Sequence, residues 1–462
     1  MTTIARPHLT SRAALAPAIL TLSLCVASPY MLVGLLGGLP LESRNSWSVS
    51  LVLWFLIVVP TLTLVVTAFR NRGGEWRVLG PAILVTGLLM RLPYFAGGSL
   101  FEDDHFRYLL DGAVLASGNN PYRFAPADLS AQPGLAALAL SEQGRSVVSQ
   151  INFPDLRTIY PGTAQILFAL SHLLDPWSLN GLRFIACASE AISAFLLWRT
   201  IATQQLSPWR VAVVWCNPLL AFTLTGQAHI DAVIMPLILA SLLAARQQSA
   251  GLAGLAIGFA VGVKLWPALL VPIIARVFIG HVKLLMAYLA MAAVTSAVLC
   301  VPLVMSSVTP QSGLAAYAGG WAINNAPYAW AAFLAGSLGG PGAVIGLRMI
   351  IALTAVASAL WFALRPVENF QSLLVSLCAV SAAAFYLSPA QFPWYAAWFL
   401  PLAAACGCWP LIAASVLLPT YYFFFALAAS GLRDAFIYGV AALHLLPVAV
   451  VALLTQRGRP LS

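Results

Sequence analysis

The chain has 462 residues, of which 61% are hydrophobic and only 8% are charged, against about 25% charged in a soluble domain. That excludes a soluble globular fold and points to a polytopic membrane protein. The formal charge of +9 comes from 23 Lys and Arg against 14 Asp and Glu; cytoplasmic loops of membrane proteins carry such an excess, so it does not call for a nucleic acid.

A membrane span needs roughly 20 apolar residues. The first candidate, 13–36, follows Arg6 and Arg12 and is too long for a signal-peptide core of about 7–15 residues. It is read as an uncleaved first helix. Spans at 47–69 and 79–96 follow, and then a long polar stretch at 97–158. Residues 160–175 are apolar but short, which suits a re-entrant or interfacial helix. Further spans are expected at 182–198, 209–226 and 230–245. Residues 251–279 are too long for one simple span and are interrupted by Lys264 and Pro267. They read as two short arms meeting at that point, since irregular backbone at membrane depth is tolerated where protein or water surrounds it. The remaining spans are expected at 284–306, 341–364, 370–388, 394–405, 410–428 and 436–454. The expected fold is an all-α polytopic transmembrane bundle of about 11–13 helices with re-entrant or juxtamembrane pieces, forming a single domain over 1–462. Seven cysteines are scattered, mostly in apolar runs. Only Cys406 and Cys408 are close, and a C-x-C without histidines is a weak metal signal. No disulfide frame, zinc site or cofactor is expected.

The positive-inside rule orients the bundle. Arg6 and Arg12, the basic loop Arg70 to Arg77, Arg199 to Arg210, Arg246, Arg276 to Lys283, Arg365, and Arg457 with Arg459 mark the cytoplasmic side. The polar stretches then fall on the opposite, extracytoplasmic side. They are 97–158, Ile159-Tyr-Pro-Gly162, Gly226-Gln-Ala-His-Ile-Asp231, Trp321 to Tyr328, and Ser388 to Tyr395. The expected location is the inner (plasma) membrane.

The densest polar chemistry lies at 101–126. Glu102, Asp103, Asp104, Asp111, Arg107 and Arg123 crowd there within an otherwise greasy chain. In a helix, Asp104, Arg107, Tyr108 and Asp111 share one face. Gly118-Asn-Asn-Pro-Tyr122 then reads as a turn.

These residues resemble a known family. Asp103-Asp-x-x-Arg-Tyr-x-x-Asp-Gly112 followed by Gly118-x-Asn-Pro-Tyr-x-x-x-Pro126 is similar to the first outer loop of polyprenyl-phosphate-sugar-dependent glycosyltransferases of the GT-C fold, bacterial mannosyltransferase-like members in particular. Four later stretches share the likeness: Tyr160-Pro161; Asn217-Pro218 leading to His229-x-Asp231; Gly254 to Gly258 with Lys264-x-x-Pro267; and Ser388-Pro389 with Pro393-Trp-Tyr-x-x-Trp398. The likeness runs from about 80 to 405. Two features depart from it. Gly162 stands where a second proline is expected, and two extra helices precede the usual first span.

The resemblance implies transfer of a hexose, mannose by preference, from a polyprenyl-phosphate donor to a glycan or lipid acceptor, with 97–158 as the catalytic loop. The acceptor hydroxyl needs a base, which a carboxylate supplies, and a single base opposite the leaving group gives inversion. Asp104, four residues before Tyr108, matches the family's catalytic aspartate; Asp103 is the second choice. The plainer reading is that these acids stabilise a helix N-terminus. Arg107 either pairs with the catalytic carboxylate, holds the lipid phosphate, or forms an ordinary salt bridge to Asp103 or Asp111. Asp111 reads first as structural, as do Asn120, Pro121 and Tyr122. Tyr160 opens the next matched stretch. His229 and Asp231 are candidates for donor or acceptor binding, since ionisable groups at a membrane boundary are costly; a metal there is not demanded by spacing. Lys264 suits a lipid phosphate or snorkels to the interface. Arg348 is a weaker example of the same kind. Trp321, Tyr328, Trp394, Tyr395 and Trp398 read as interfacial aromatics or as platforms for sugar and isoprenoid. Two competing functions remain open: a lipid-linked glycan flippase, and a polymerase or ligase using a diphosphate-linked donor.

Overall fold

The computed structural model describes residues 12–71, 76–202, 204 and 206–457. Arg6, Arg72 and Arg459, used above for orientation, lie outside them. Among the described residues the regular structure is helical, apart from one isolated bridge between Ile323 and Ala390.

Three helices open the chain: α1 (Arg12–Leu36), α2 (Trp47–Arg70) and α3 (Trp76–Arg91). A short helix, α4 (Asp104–Ala116), stands in the polar stretch after them. Next come α5 (Gly162–Leu174), too short to span, and α6 (Leu179–Ala202). The expected spans at 209–226 and 230–245 are instead two arms, α7 (Trp209–Gly226) and α8 (Ile230–Arg246), meeting at 117°. The bend falls at Gln227–His229, where Ala228 has φ +60°, and a separate interruption lies inside the first arm at Asn217. Its Oδ1 accepts from the Leu219 N–H at 3.0 Å, its Nδ2 donates to the Val213 carbonyl, and Pro218 donates nothing. Residues 221–226 are π-helical, a geometry rare in helices and frequent at functional sites.

The 251–279 region is two short helices, α9 (Ala250–Val261) and α10 (Trp266–Phe278), broken at Gly262–Leu265. This is the pair of arms the Lys264–Pro267 interruption implied. α9 lies against α11 (Val282–Ser306). A Cβ on Gly254 would sit 2.3 Å from the Tyr288 carbonyl oxygen, so the crossing requires glycine. Helix α12 (Ala326–Leu364) begins well before the expected 341 and bends at Gly340, whose φ is +64°, with Pro341 after it. α13 (Phe370–Leu387) follows the expected bounds. The expected span at 394–405 is a tight turn, Pro393–Trp398, and one short helix, Leu400–Cys406; Pro393 and Pro401 prevent a continuous helix. α14 (Trp409–Ala429) and α15 (Arg433–Gln456) complete the chain.

Nine of the described helices are long and apolar enough to cross a membrane, or ten if α7 and α8 together make one broken span. The expected 11–13 helices included 209–226, 230–245 and 394–405, which are a bent pair and a turn with one short helix; Gly162–Leu174, Ala250–Val261 and Trp266–Phe278 are the shorter apolar pieces expected beside the spans. The multi-pass, all-α reading stands. α11 and α12 carry their apolar side chains outward, as lipid-facing helices do. The buried centre holds charge as well: Arg91 and Glu190 pair at 1% and 2% exposure, and Thr225 Oγ1 donates to Glu190 Oε2 at 2.5 Å. Arg91 also lies 3.8 Å from the centroid of the Trp215 ring. Charges so deep persist only when paired.

Candidate active site

The five polar stretches converge on one site. Tyr122 donates its hydroxyl proton to the Tyr160 carbonyl at 3.0 Å. Gln227 Oε1 accepts from Ser99 Oγ and from the backbone N–H groups of Phe101 and Glu102. The Gln391 N–H donates to the Ile323 carbonyl at 3.0 Å. Loop, broken helix and tight turn are thereby tied together around the first turn of α4.

The two adjacent aspartates have different surroundings. Asp103 precedes α4 and is occupied: Arg44 Nη1 and Nη2 each reach its Oδ2 at 3.1 Å, and Asn152 Nδ2 donates to its Oδ1 at 2.7 Å. Asp104, the first residue of α4, keeps 41% of its side chain accessible, and its nearest basic group is His229 Nδ1 at 3.9 Å. Desolvation by the surrounding protein, reinforced by the charges of Asp103 and Asp231 and opposed by Lys264, raises the Asp104 carboxyl from 3.8 to about 7. Desolvation, with Asp104 and Asp103 beside it, also raises the Glu102 carboxyl well above the ordinary range. Asp104 is thus an accessible carboxyl poised near neutrality, the condition a general base requires.

Arg107 takes the ordinary salt bridge that the sequence left as one option. Its Nε donates to Asp111 Oδ1 at 3.0 Å and its Nη1 to the Leu156 carbonyl at 2.9 Å. Gln165 Nε2 donates to the other Asp111 oxygen at 3.0 Å. Both residues therefore brace α4 against α5. Tyr108 is buried, stacked on Phe168 at 4.5 Å, and its hydroxyl accepts from the Tyr160 hydroxyl at 3.2 Å. It forms the floor beneath Asp104.

Facing Asp104 are the residues of the two broken helices. His229 is fully buried, stacks on Trp394 with centroids 3.7 Å apart, and has no hydrogen-bond partner at either nitrogen. Asp231 Oδ1 receives Lys264 Nζ at 2.8 Å and Trp398 Nε1 at 2.7 Å, while its Oδ2 is unpaired. Lys264 lies 4.1 Å from the Tyr395 ring centroid. Tyr395 stacks on Trp398 at 4.0 Å and hydrogen-bonds the Tyr317 hydroxyl at 3.0 Å. Sequence reading missed Arg44, Asn152, Tyr317 and Trp266; the last stacks on Trp398 at 5.0 Å. Among the described residues no group of three or more His, Cys, Asp and Glu side chains is placed to share a metal ion.

A groove of about 280 Å³ leads away from this cluster. Trp266, Tyr317, Trp321 and Arg348 line it, with the apolar flanks of α12 and α13. Arg348 donates to the carbonyls of Ala318 and Trp321.

Residues 158–389, half of the chain, match the family model of glycosyltransferase family 87. The matched stretch contains Tyr160, His229, Asp231 and Lys264; Asp104 lies before it and Trp394 after it. Searches of curated proteins and of solved structures found no match. With broken helices carrying polar side chains to one end of an apolar bundle, and half its length matching that model, the chain belongs to glycosyltransferase family 87 and is a multi-pass membrane glycosyltransferase.

Proposed function

We propose that the protein transfers a hexose, mannose by preference, from a polyprenyl-phosphate donor to a glycan or lipid acceptor, with inversion, at the extracytoplasmic face of the plasma membrane. The 97–158 loop covers the site. Asp104 takes the proton from the acceptor hydroxyl as that oxygen attacks the anomeric carbon, and the lipid phosphate departs from the opposite face. The phosphate leaves as a stable anion and needs little acid help. Lys264 meets it, with two of its three N–H donors left over from Asp231. The isoprenoid follows the groove between α12 and α13. Trp394 and Tyr395 wall the sugar site, and His229 orients the acceptor beside Asp104.

The observation that carries this reading is the contrast between the neighbouring acids. Asp103 is held by Arg44 and Asn152, whereas Asp104 is accessible and poised near neutrality opposite the half-buried Lys264. Orientation rests on the basic loops of the sequence, which the positive-inside rule assigns to the cytoplasm.

The test is in vitro transfer by the purified protein from polyprenyl-phosphate mannose and, in parallel, from a polyprenyl-diphosphate-linked sugar. Turnover of the first donor alone supports the proposal. Turnover of the second alone identifies a ligase or polymerase. Lipid flux across proteoliposomes without sugar transfer would favour a flippase.

A further inference from the structure

Behind α4 lies a second cavity, of about 310 Å³, that shares no residue with the cluster around Asp104. Seen down the helix, Asp104, Tyr108 and Asp111 face one way, and His105, Phe106 and Leu109 face the other. The second set lines this cavity. The opposite wall is the first turn of α6, Ser178 to Asn180, followed by Arg183.

Three features of its chemistry converge. The N-terminus of a 24-residue helix opens onto the cavity and favours an anion. Arg183, 1% exposed, donates to the carbonyls of Gly97, Gly98 and Gly226, taking four of its five N–H donors and leaving one on Nη1. No carboxylate lines the cavity to balance that cation. His105, 3% exposed, has no hydrogen-bond partner at Nδ1. A neutral imidazole presents one donor and one acceptor, so a ligand there meets a cation, a helix terminus and a nitrogen able to accept from a hydroxyl. The cavity also sits where two spans end, just after Leu79–Ala96 and at the start of Leu179–Ala202. That is the level of lipid headgroups.

We propose that this cavity binds a hydroxyl-bearing phosphate of the glycerophosphate type, separate from the donor's phosphate, and that its occupancy braces the helix whose other face carries Asp104. The group arrives either as a lipid headgroup or as a soluble phosphate ester.

Replacing Arg183 would release three backbone carbonyls and is a poor probe. Asn180→Glu is better: a carboxylate is favourable in the first turn of a helix, yet it places negative charge on the cavity wall. Asn180→Gln is the neutral control. The protein is reconstituted in phosphatidylcholine nanodiscs and its Tm followed against glycerol 1-phosphate at fixed ionic strength. The measurement is repeated in nanodiscs containing phosphatidylglycerol. A saturable rise in Tm, lost in Asn180→Glu and kept in Asn180→Gln, is the expected result. A rise with glycerol 1-phosphate identifies a soluble ligand; a rise with phosphatidylglycerol alone identifies a lipid. No rise with either probe, or an equal rise in Asn180→Glu, overturns the proposal. Because Asn180 touches nothing in the Asp104 cluster, a phosphate bound at the donor site would respond equally in both variants.

Discussion

Asp104→Asn tests the base directly. The substitution keeps the side chain's shape and its place at the start of α4 but removes the proton acceptor. General-base catalysis contributes about 10²–10⁴-fold, so the expected loss in kcat/KM is of that size, about 3–5 kcal/mol of transition-state stabilisation at about 1.4 kcal/mol per tenfold. The pH profile adds an independent sign. A base works ionised, and the Asp104 carboxyl sits at about 7 instead of 3.8 because it is desolvated and lies beside Asp103. Activity should therefore fall as pH drops through 7, with roughly a tenth of the base ionised at pH 6. An ordinary carboxylate would hold its activity to about pH 5. The assay is initial-rate transfer from a water-dispersed polyprenyl-phosphate hexose between pH 5.5 and 8.5, with folded protein confirmed by size-exclusion chromatography. A folded Asp104→Asn variant keeping more than about a tenth of wild-type kcat/KM, or a wild-type profile flat across that range, refutes the assignment.

Asp103→Asn removes a charge that holds Asp104 up and frees Arg44 beside it; both changes move the acid limb of the rate profile to lower pH, and a limb that stays or moves up contradicts the electrostatics. Lys264→Ala leaves Asp231 buried without its cation, which costs about 3–5 kcal/mol and appears as a lower Tm; adding Asp231→Asn to Lys264→Met should restore Tm without restoring transfer, and a double variant that regains activity would remove Lys264 from donor binding. Gly254→Val drives a Cβ to within 2.3 Å of the Tyr288 carbonyl oxygen, so it should separate α9 from α11 and cost at least about 1–3 kcal/mol, read as loss of monodisperse protein in detergent.

Much of the bundle was legible because the membrane imposes length and apolarity on each crossing. α2, α6, α11 and α13 begin and end within a few residues of where hydropathy set them. The Lys264–Pro267 interruption was legible too, since a proline and a charge cannot continue an apolar helix. Hydropathy was blind to geometry inside an apolar run. The 117° turn between α7 and α8 falls at Gln227–His229, where Ala228 takes φ +60°, and the first arm is itself interrupted where Asn217 caps a backbone N–H. The early start of α12 was missed because Gly340 and Pro341 resemble a boundary and are a bend. Arg91 and Glu190 lie 99 positions apart, and only the rule that buried charges need partners could have suggested the pair.

The site shows the same division. Residue type and spacing selected Asp104, His229, Asp231, Lys264 and the tryptophan–tyrosine turn, and these do meet. The resemblance ranked Asp104 over Asp103 by its place four residues before Tyr108; what spacing could not supply was a physical difference between two aspartates at one helix start. That difference comes from Arg44, 59 residues away in a short turn. A base must have an unoccupied lone pair facing the acceptor, and an arginine shared with an asparagine removes that from Asp103. The same reasoning separates Arg107 from Lys264 as partners for a phosphate. Arg107 is saturated along its Nε edge by Asp111 and at Nη1 by the Leu156 carbonyl. Lys264 makes one ion pair, to a carboxylate whose other oxygen is unpaired, and otherwise lies over the Tyr395 ring, so an incoming phosphate can compete for the ammonium while Trp398 still holds Asp231. Partner saturation, which only the folded chain reveals, separates the polar residues that are already held from those still able to take a ligand.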